Sequence, residues 1–327
     1  MQDVMSFHRT GACLAGLLVF LALSGCRPAR EEPAHAGAVS QTYFVVTHGS
    51  AGNPFWAVVV RGAMDAGEAL GVNVQYLGPD RFSIAEFVSL IDAAIAAQPQ
   101  GIAVTITDPT AVAEPLQRAA DAGIPVVAIN AADPDGRLPY LLYIGSDEYR
   151  AGYAGGQKML EAGFSGSAVC ASHEIGNLMH ETRCRGFADA LAEQGVEVVV
   201  LDITSDTVTA IEVFRSHFAA HPETGAVMTL GPDGMSSWRA FVDESGRGDV
   251  LHATFDLDPV TLDAIRDGIT RFTIDQQQYL QGFQSVVTLY LKHNYELVQA
   301  NDLLTGPFFV TADNIEAIAA LIEEGIR

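Results

Sequence analysis

From residue 42 onward, short uninterrupted apolar runs alternate with longer segments of helical period, and no other feature narrows the fold as far. The first runs are "TYFVVT" (42–47), "VNVQYL" (72–77), "GIAVTI" (101–106) and "IPVVAI" (124–129), with helices expected at 54–70, 83–97 and 109–122. A second series follows at 140–144, 167–171, 196–202, 225–230 and 249–255, with helices at 147–162, 177–194, 207–220 and 235–245. Runs without polar alternation are buried on both faces, which means parallel strands covered by helices. The expected class is therefore α/β, built as two doubly wound parallel-sheet lobes. Helix starts support the reading: "SIAE" (83–86) fits a capping box, and Asp108 stands before Pro109 as an N-cap before a first-turn proline. The tail breaks the simple repeat with a helix at 258–267, a strand at 271–275, a long helix at 277–298, a strand at 305–311 and a helix at 313–325.

Charge and motifs exclude several functions. The 327-residue chain carries 18 Lys and Arg against 40 Asp and Glu, a formal charge of −22, so it lacks the basic face that nucleic acid requires. No G-x-S-x-G, H-E-x-x-H or P-loop pattern occurs, so neither an enzyme nor a cofactor is expected. Residues 1–25 read as a signal peptide with an apolar stretch at 12–25. "LSGC" (23–26) resembles the bacterial lipobox, which makes Cys26 the expected lipidation site. Residues 26–41 then form a flexible tether, and the folded part lies in the periplasm or on the outer face of the cell membrane. Cys170 and Cys184 remain, in an oxidising compartment that permits a disulfide, while the sequence does not supply the distance between their Cα atoms. Cys170, His173, His180 and Cys184 also have a C-x2-H-x6-H-x3-C spacing that zinc can take. That metal set is put aside because the spacing is unlike finger patterns and export favours the disulfide.

Ligands of open parallel sheets gather at the carboxyl ends of strands. The residues there are Asn53, Phe55 and Trp56 after the first run, Asp108, Asn130, then His173, Glu174 and Asn177, with Arg183 further into the helix. Asp233, Asp256 and Gln276 complete the set. Asp accepts, Arg donates as a rigid fork, and Asn and Gln do both. A polyhydroxylated ligand needs that mixture, and its C–H faces suit an aromatic pair.

At these residues the chain resembles the periplasmic sugar-binding proteins of ABC importers, ribose/galactose type. The resemblance rests on "NPFWAVVVRGAMDAGEALGV", "DAGIPVVAIN", "TRCRGFADAL", "LHATFDLDP" and "FTIDQQQYLQGF", in that order, across most of 42–325. It implies two lobes joined by a three-segment hinge, with crossings near Asn130–Ala131, Asp275–Gln276 and Ala300–Thr305. The lobes would then be 42–130 plus 276–300 and 131–275 plus 301–327. Phe55 and Trp56 would flank a sugar ring. Asn53, Asp108, Arg183, Asp256 and Gln276 would bond its hydroxyls, with Asn130 near the first crossing and Asp233 at the second lobe's strand end. Two stretches depart from the family: "GPDGM" (231–235) places Pro232 where ribose binders carry a polar residue, and "SHEIGNLMH" (172–180) is rich in His and Glu. The expected function is a monomeric solute-binding lipoprotein that captures a monosaccharide or polyol and delivers it to a membrane permease. A sensor subunit for a membrane receptor, or a binder of a non-sugar solute, is the alternative.

Overall fold

The computed structural model describes residues 41–327. The expected signal peptide, Cys26 and the tether through residue 40 lie outside the described residues. The first lobe is built from β1 (Thr42–Val46), α1 (Pro54–Leu70), β2 (Asn73–Leu77), α2 (Ile84–Ala96), β3 (Gly101–Val104), α3 (Pro109–Asp121), β4 (Val126–Ile129) and β5 (Tyr143–Ser146). The chain passes through α4 (Glu148–Ala162) into β6 (Ala168–Ser172), α5 (Leu178–Ala192), β7 (Val198–Asp202), α6 (Thr207–Ala220), β8 (Ala226–Thr229) and α7 (Pro232–Ser245). It continues with β9 (Leu251–Phe255), α8 (Pro259–Arg266) and β10 (Phe272–Asp275), and returns to the first lobe as α9 (Gln278–Tyr295) and β11 (Leu303–Gly306). Finally β12 (Phe308–Thr311) and the short α10 (Ala319–Glu323) close the second lobe.

Each lobe carries a six-stranded sheet, in the orders β2-β1-β3-β4-β5-β11 and β7-β6-β8-β9-β10-β12. The pairings are parallel except β10 with β12. Strand side chains alternate between two cores, as a period of two requires. Tyr43 and Val45 enter the layer under α1 and α9, while Phe44 and Val46 enter the layer with Phe87, Ile91 and Leu116. In the second lobe Cys170 and Met228 face one layer, and Val169, Ala171 and Val227 face the other. Burial on both faces explains why these runs lack polar alternation.

The helix pairs that flank the hinge repeat one device. A Cβ on Gly62 of α1 would stand 2.1 Å from the Tyr279 carbonyl oxygen of α9, and a Cβ on Gly152 of α4 would stand 2.0 Å from the Arg183 carbonyl oxygen of α5. Only glycine permits such an approach. In the second lobe this contact fixes the backbone that carries Arg183.

Three sequence expectations are corrected. The run at 140–144 was expected to open the second lobe, with the first crossing at Asn130–Ala131. Its strand instead extends the first sheet, with Ala128 opposite Tyr143 and Ile129 opposite Ile144, so the chain leaves the first lobe after Ser146. The connection 130–142 contains no helix, and that gap in the alternation resembles a domain break. The expected single strand at 305–311 is two strands in two different sheets, divided at Pro307, which has no N–H to give a ladder. The last crossing therefore falls at Gly306–Pro307 rather than before Thr305. The expected helix at 313–325 is a 3-10 turn at Ile315–Ala317 followed by the short α10. Among the described residues, no helix is long and apolar enough to cross a membrane.

Candidate ligand-binding cleft

A narrow cavity of about 30 Å³ lies between the lobes. The first lobe lines it with His48, Asn53, Phe55, Trp56 and Asn130. The second contributes His173, Glu174, Met179, His180, Arg183, Leu230, Gly231, Pro232 and Asp256, and Gln276 stands at the second crossing.

The loop after β1 sets the aromatic wall. Asn53 caps α1, its Oδ1 accepting from Phe55 N at 2.9 Å, and Pro54 starts the helix. That entry places Phe55 and Trp56 side by side, edge to face, with ring centroids 4.7 Å apart. His48 meets Trp56 edge-on at 4.8 Å. Both rings line the cavity and also pack into the core beneath α9, so they form a fixed platform. Asn53 has a second bond: its Nδ2 donates to Asp233 Oδ1 of the other lobe at 3.2 Å.

Asn130 and Asp256 end the fourth strand of each lobe, and both take a left-handed backbone, with φ of 62° and 69°. Non-glycine residues hold that conformation at a cost and only where their surroundings fix it. Here they do: Asn130 O accepts from Tyr143 Oη at 2.7 Å, and Asp256 O accepts from Thr273 Oγ1 at 2.6 Å. The two buried Asn130 side-chain atoms, Nδ2 and Oδ1, have no protein partner. Asp256 Oδ1 accepts from Gln276 Nε2 at 2.7 Å, which leaves Gln276 Oε1 buried and unpartnered. Burial pushes the Asp256 carboxyl up to about 7, against the pull of Arg183.

Arg183 is the charged centre of the second wall. It is 1% exposed; its Nε donates to Glu148 Oε2 at 2.5 Å, its Nη1 to Leu230 O at 3.1 Å, and its guanidinium lies 4.2 Å from the Phe255 ring centroid. The disulfide between Cys170 of β6 and Cys184 of α5, with Cα atoms 5.7 Å apart, ties the adjacent residue of α5 to the sheet. These cysteines are consumed, so the C-x2-H-x6-H-x3-C set does not exist as a metal site.

The rest of the wall is titratable. His173 has its Nδ1 buried without a partner. Burial lowers His48 to about 3 and His173 to about 4, and drives His180 well below the usual imidazole range, so all three rings are neutral at pH 7. Burial raises Glu174 to about 7.

Of the twelve strand-end residues named from sequence, nine line this cavity: Asn53, Phe55, Trp56, Asn130, His173, Glu174, Arg183, Asp256 and Gln276. Three do not. Asn177 caps α5, its Oδ1 accepting from Met179 N at 3.0 Å, and its Nδ2 donates to Glu174 Oε2. Asp108 is committed to its helix, its Oδ1 accepting from Thr110 N and Ala111 N, both at 3.0 Å. Asp233 lines a neighbouring groove and meets Asn53 instead. Sequence reasoning missed His48, Met179 and Glu148 and did not assign His180 to a ligand. His48 directly follows the first strand, which is a usable signal. Glu148 is 35 residues from Arg183 and nothing in the sequence pairs them; Glu181 and Asp189, the nearer acids, are not its partners.

Residues 44–296 match the family model described as periplasmic binding protein domain. The xylose/arabinose-binding protein of Sulfolobus acidocaldarius is 33% identical over 284 residues, covering 81% of this chain and 69% of that protein. The solved structure of a carbohydrate transporter from Acidothermus cellulolyticus 11B in complex with myo-inositol is 30% identical. Its TM-score is 0.82, over 88% of this chain and 100% of that one. A periplasmic sugar-binding protein of an ABC sugar transporter from Legionella pneumophila is 30% identical with a TM-score of 0.77, over 81% of this chain and 99% of that one.

Proposed function

The chain belongs to the periplasmic binding protein family, and on that premise we propose that it is the extracytoplasmic receptor of an ABC sugar importer, binding a monosaccharide or polyol between its lobes. Family members of this kind carry solutes and are not enzymes. The observation that carries the reading is the set of unpartnered polar atoms in the cavity wall: Asn130 Nδ2 and Oδ1, and Gln276 Oε1. A buried polar group without a partner costs about 1–3 kcal/mol. A ligand whose hydroxyls both donate and accept recovers that cost at several points at once. The platform of Phe55 and Trp56 then covers the ligand's C–H face.

Binding closes the hinge. Groups from both lobes and from Gln276 converge on one cavity, so a ligand that bonds to all of them stabilises the closed form over the open one. The permease reads the closed lobes. Cys26 anchors the monomeric receptor to the membrane through lipid.

A thermal-shift screen of pentoses, hexoses and polyols, with amino acids as controls, tests the reading. At 100 times its dissociation constant a ligand stabilises the native state by about 2.7 kcal/mol, and the melting temperature rises. Shifts from amino acids with none from any sugar or polyol would overturn the assignment.

A further inference from the structure

The second wall of the cleft holds more nitrogen and carboxylate ligands than hydroxyl recognition needs. His173, Glu174 and His180 each offer one ligand atom, and these atoms lie within 4.8 Å of one another. All three come from the end of β6 and the first turn of α5, the "SHEIGNLMH" stretch that departs from the family pattern. We propose that this cluster is a binding site for a divalent transition metal of the zinc class, held by His173, Glu174 and His180 with His48 of the other lobe facing it across the cleft.

The hydrogen bonds around the cluster already have the form of a metal site's outer partners. A ligating imidazole ties one nitrogen to a fixed group and presents the other. His180 Nδ1 meets Ser172 Oγ at 3.0 Å, which leaves Nε2 as its free nitrogen. His48 Nδ1 meets Thr105 Oγ1 at 2.9 Å, and its Nε2 stands 3.6 Å from Glu174 Oε2. Asn177 Nδ2 donates to Glu174 Oε2 at 2.7 Å and holds that carboxylate toward the rings. His173 Nδ1 is buried with no partner at all. Two imidazoles and a carboxylate are a ligand set that zinc takes with a further position open. Ligand atoms around a tetrahedral ion stand roughly 3.3 Å apart, given zinc bonds of about 2.0–2.2 Å. The widest pair therefore closes by up to about 1.5 Å on loading. The open position faces the cavity.

This site does not depend on the sugar reading, and its test uses no sugar. Untagged protein is titrated with Zn²⁺ and with Co²⁺ by calorimetry and visible absorption. One equivalent binds, Co²⁺ gives d–d bands of a nitrogen–oxygen ligand set, and His180→Gln and Glu174→Gln each weaken affinity at least about 100-fold. Circular dichroism checks that the variants fold, and the wild-type Co²⁺ spectrum reports the ligand set without any variant. A surface competitor exists, because His221 is exposed and stacks on His217 beside Glu223. His221→Gln leaves the affinity unchanged. The proposal fails if His221→Gln removes the binding, if a sulfur-to-cobalt band assigns the metal to reduced Cys170 and Cys184, or if no stoichiometric metal binds.

Discussion

The two lobes finish their fourth strands in the same way and put opposite chemistry there. Asn130 N donates to Ile144 O of the next strand at 3.0 Å, and Asp256 N donates to Ile274 O at 2.9 Å. Both residues have positive φ, and both carbonyls accept a hydroxyl from the neighbouring strand. The backbone device is thus repeated, but one lobe displays a neutral amide and the other a carboxyl. The amide has no protein partner, whereas the carboxyl is held by Gln276 and lies in the field of Arg183. The first wall is aromatic and neutral and gains its bonds from the ligand. The second wall is charged and already organised by the protein. The difference assigns orientation to the second lobe and coverage to the first.

The comparison breaks most severely at Arg183. Arg183→Met leaves Glu148 buried without its countercharge, and removing one member of such a pair costs about 3–5 kcal/mol of stability. Ligand affinity falls by about three orders of magnitude, since a buried charged donor is lost together with the order of the wall. Adding Glu148→Gln restores most of the stability and none of the affinity. Urea unfolding and calorimetry on the two variants separate these effects. A double variant that binds as well as wild type would remove Arg183 from recognition.

A smaller effect is expected at Asp256. Asp256→Asn keeps an oxygen for Gln276 and tolerates the left-handed backbone, but it loses the ionised acceptor, and affinity drops about 100-fold at pH 8. Stability of the unliganded protein moves the other way. Burial raises the folded pKa to about 7 from an ordinary 3.8, so between these values the folded state alone keeps the proton. The contribution of this group to stability then declines by about 1.4 kcal/mol per pH unit as pH rises through that window, and levels above it. The Asn variant lacks the decline. It is more stable than wild type at pH 8, and the gain vanishes near pH 4. Chemical unfolding at both pH values reads the difference, and an equal gap at both would mean that Asp256 is ionised throughout.

How far the sequence revealed this site follows from which forces are local. Strand ends, caps and aromatic pairs are written in a few adjacent residues, so Asn53, Phe55, Trp56 and Asp256 were legible before any coordinates. Membership of a sheet is a long-range property, and β5 was misassigned because no helix precedes it. The pairing of Arg183 with Glu148 was hidden for the same reason: α4 and α5 are brought together by tertiary packing, with close backbone approaches at Gly152 and Gly186. Cys170, His173, His180 and Cys184 share one short stretch, but spacing alone did not show that the disulfide takes the cysteines and leaves the histidines to the cleft.

Asp108 tests the first wall most gently. It ends the loop after β3, at a strand end where ligand contacts gather, and the family resemblance gave it a ligand. Its Oδ1 instead satisfies two backbone N–H groups at the start of α3, and its side chain does not line the cavity. A cap of this kind contributes about 1 kcal/mol. Asp108→Ala therefore lowers the melting temperature slightly and changes ligand affinity less than about twofold, which corresponds to roughly 0.4 kcal/mol. Calorimetry on the variant decides between the two roles. A loss of tenfold or more would mean that the carboxylate serves the ligand as well as the helix, and the first wall would then carry a charge of its own.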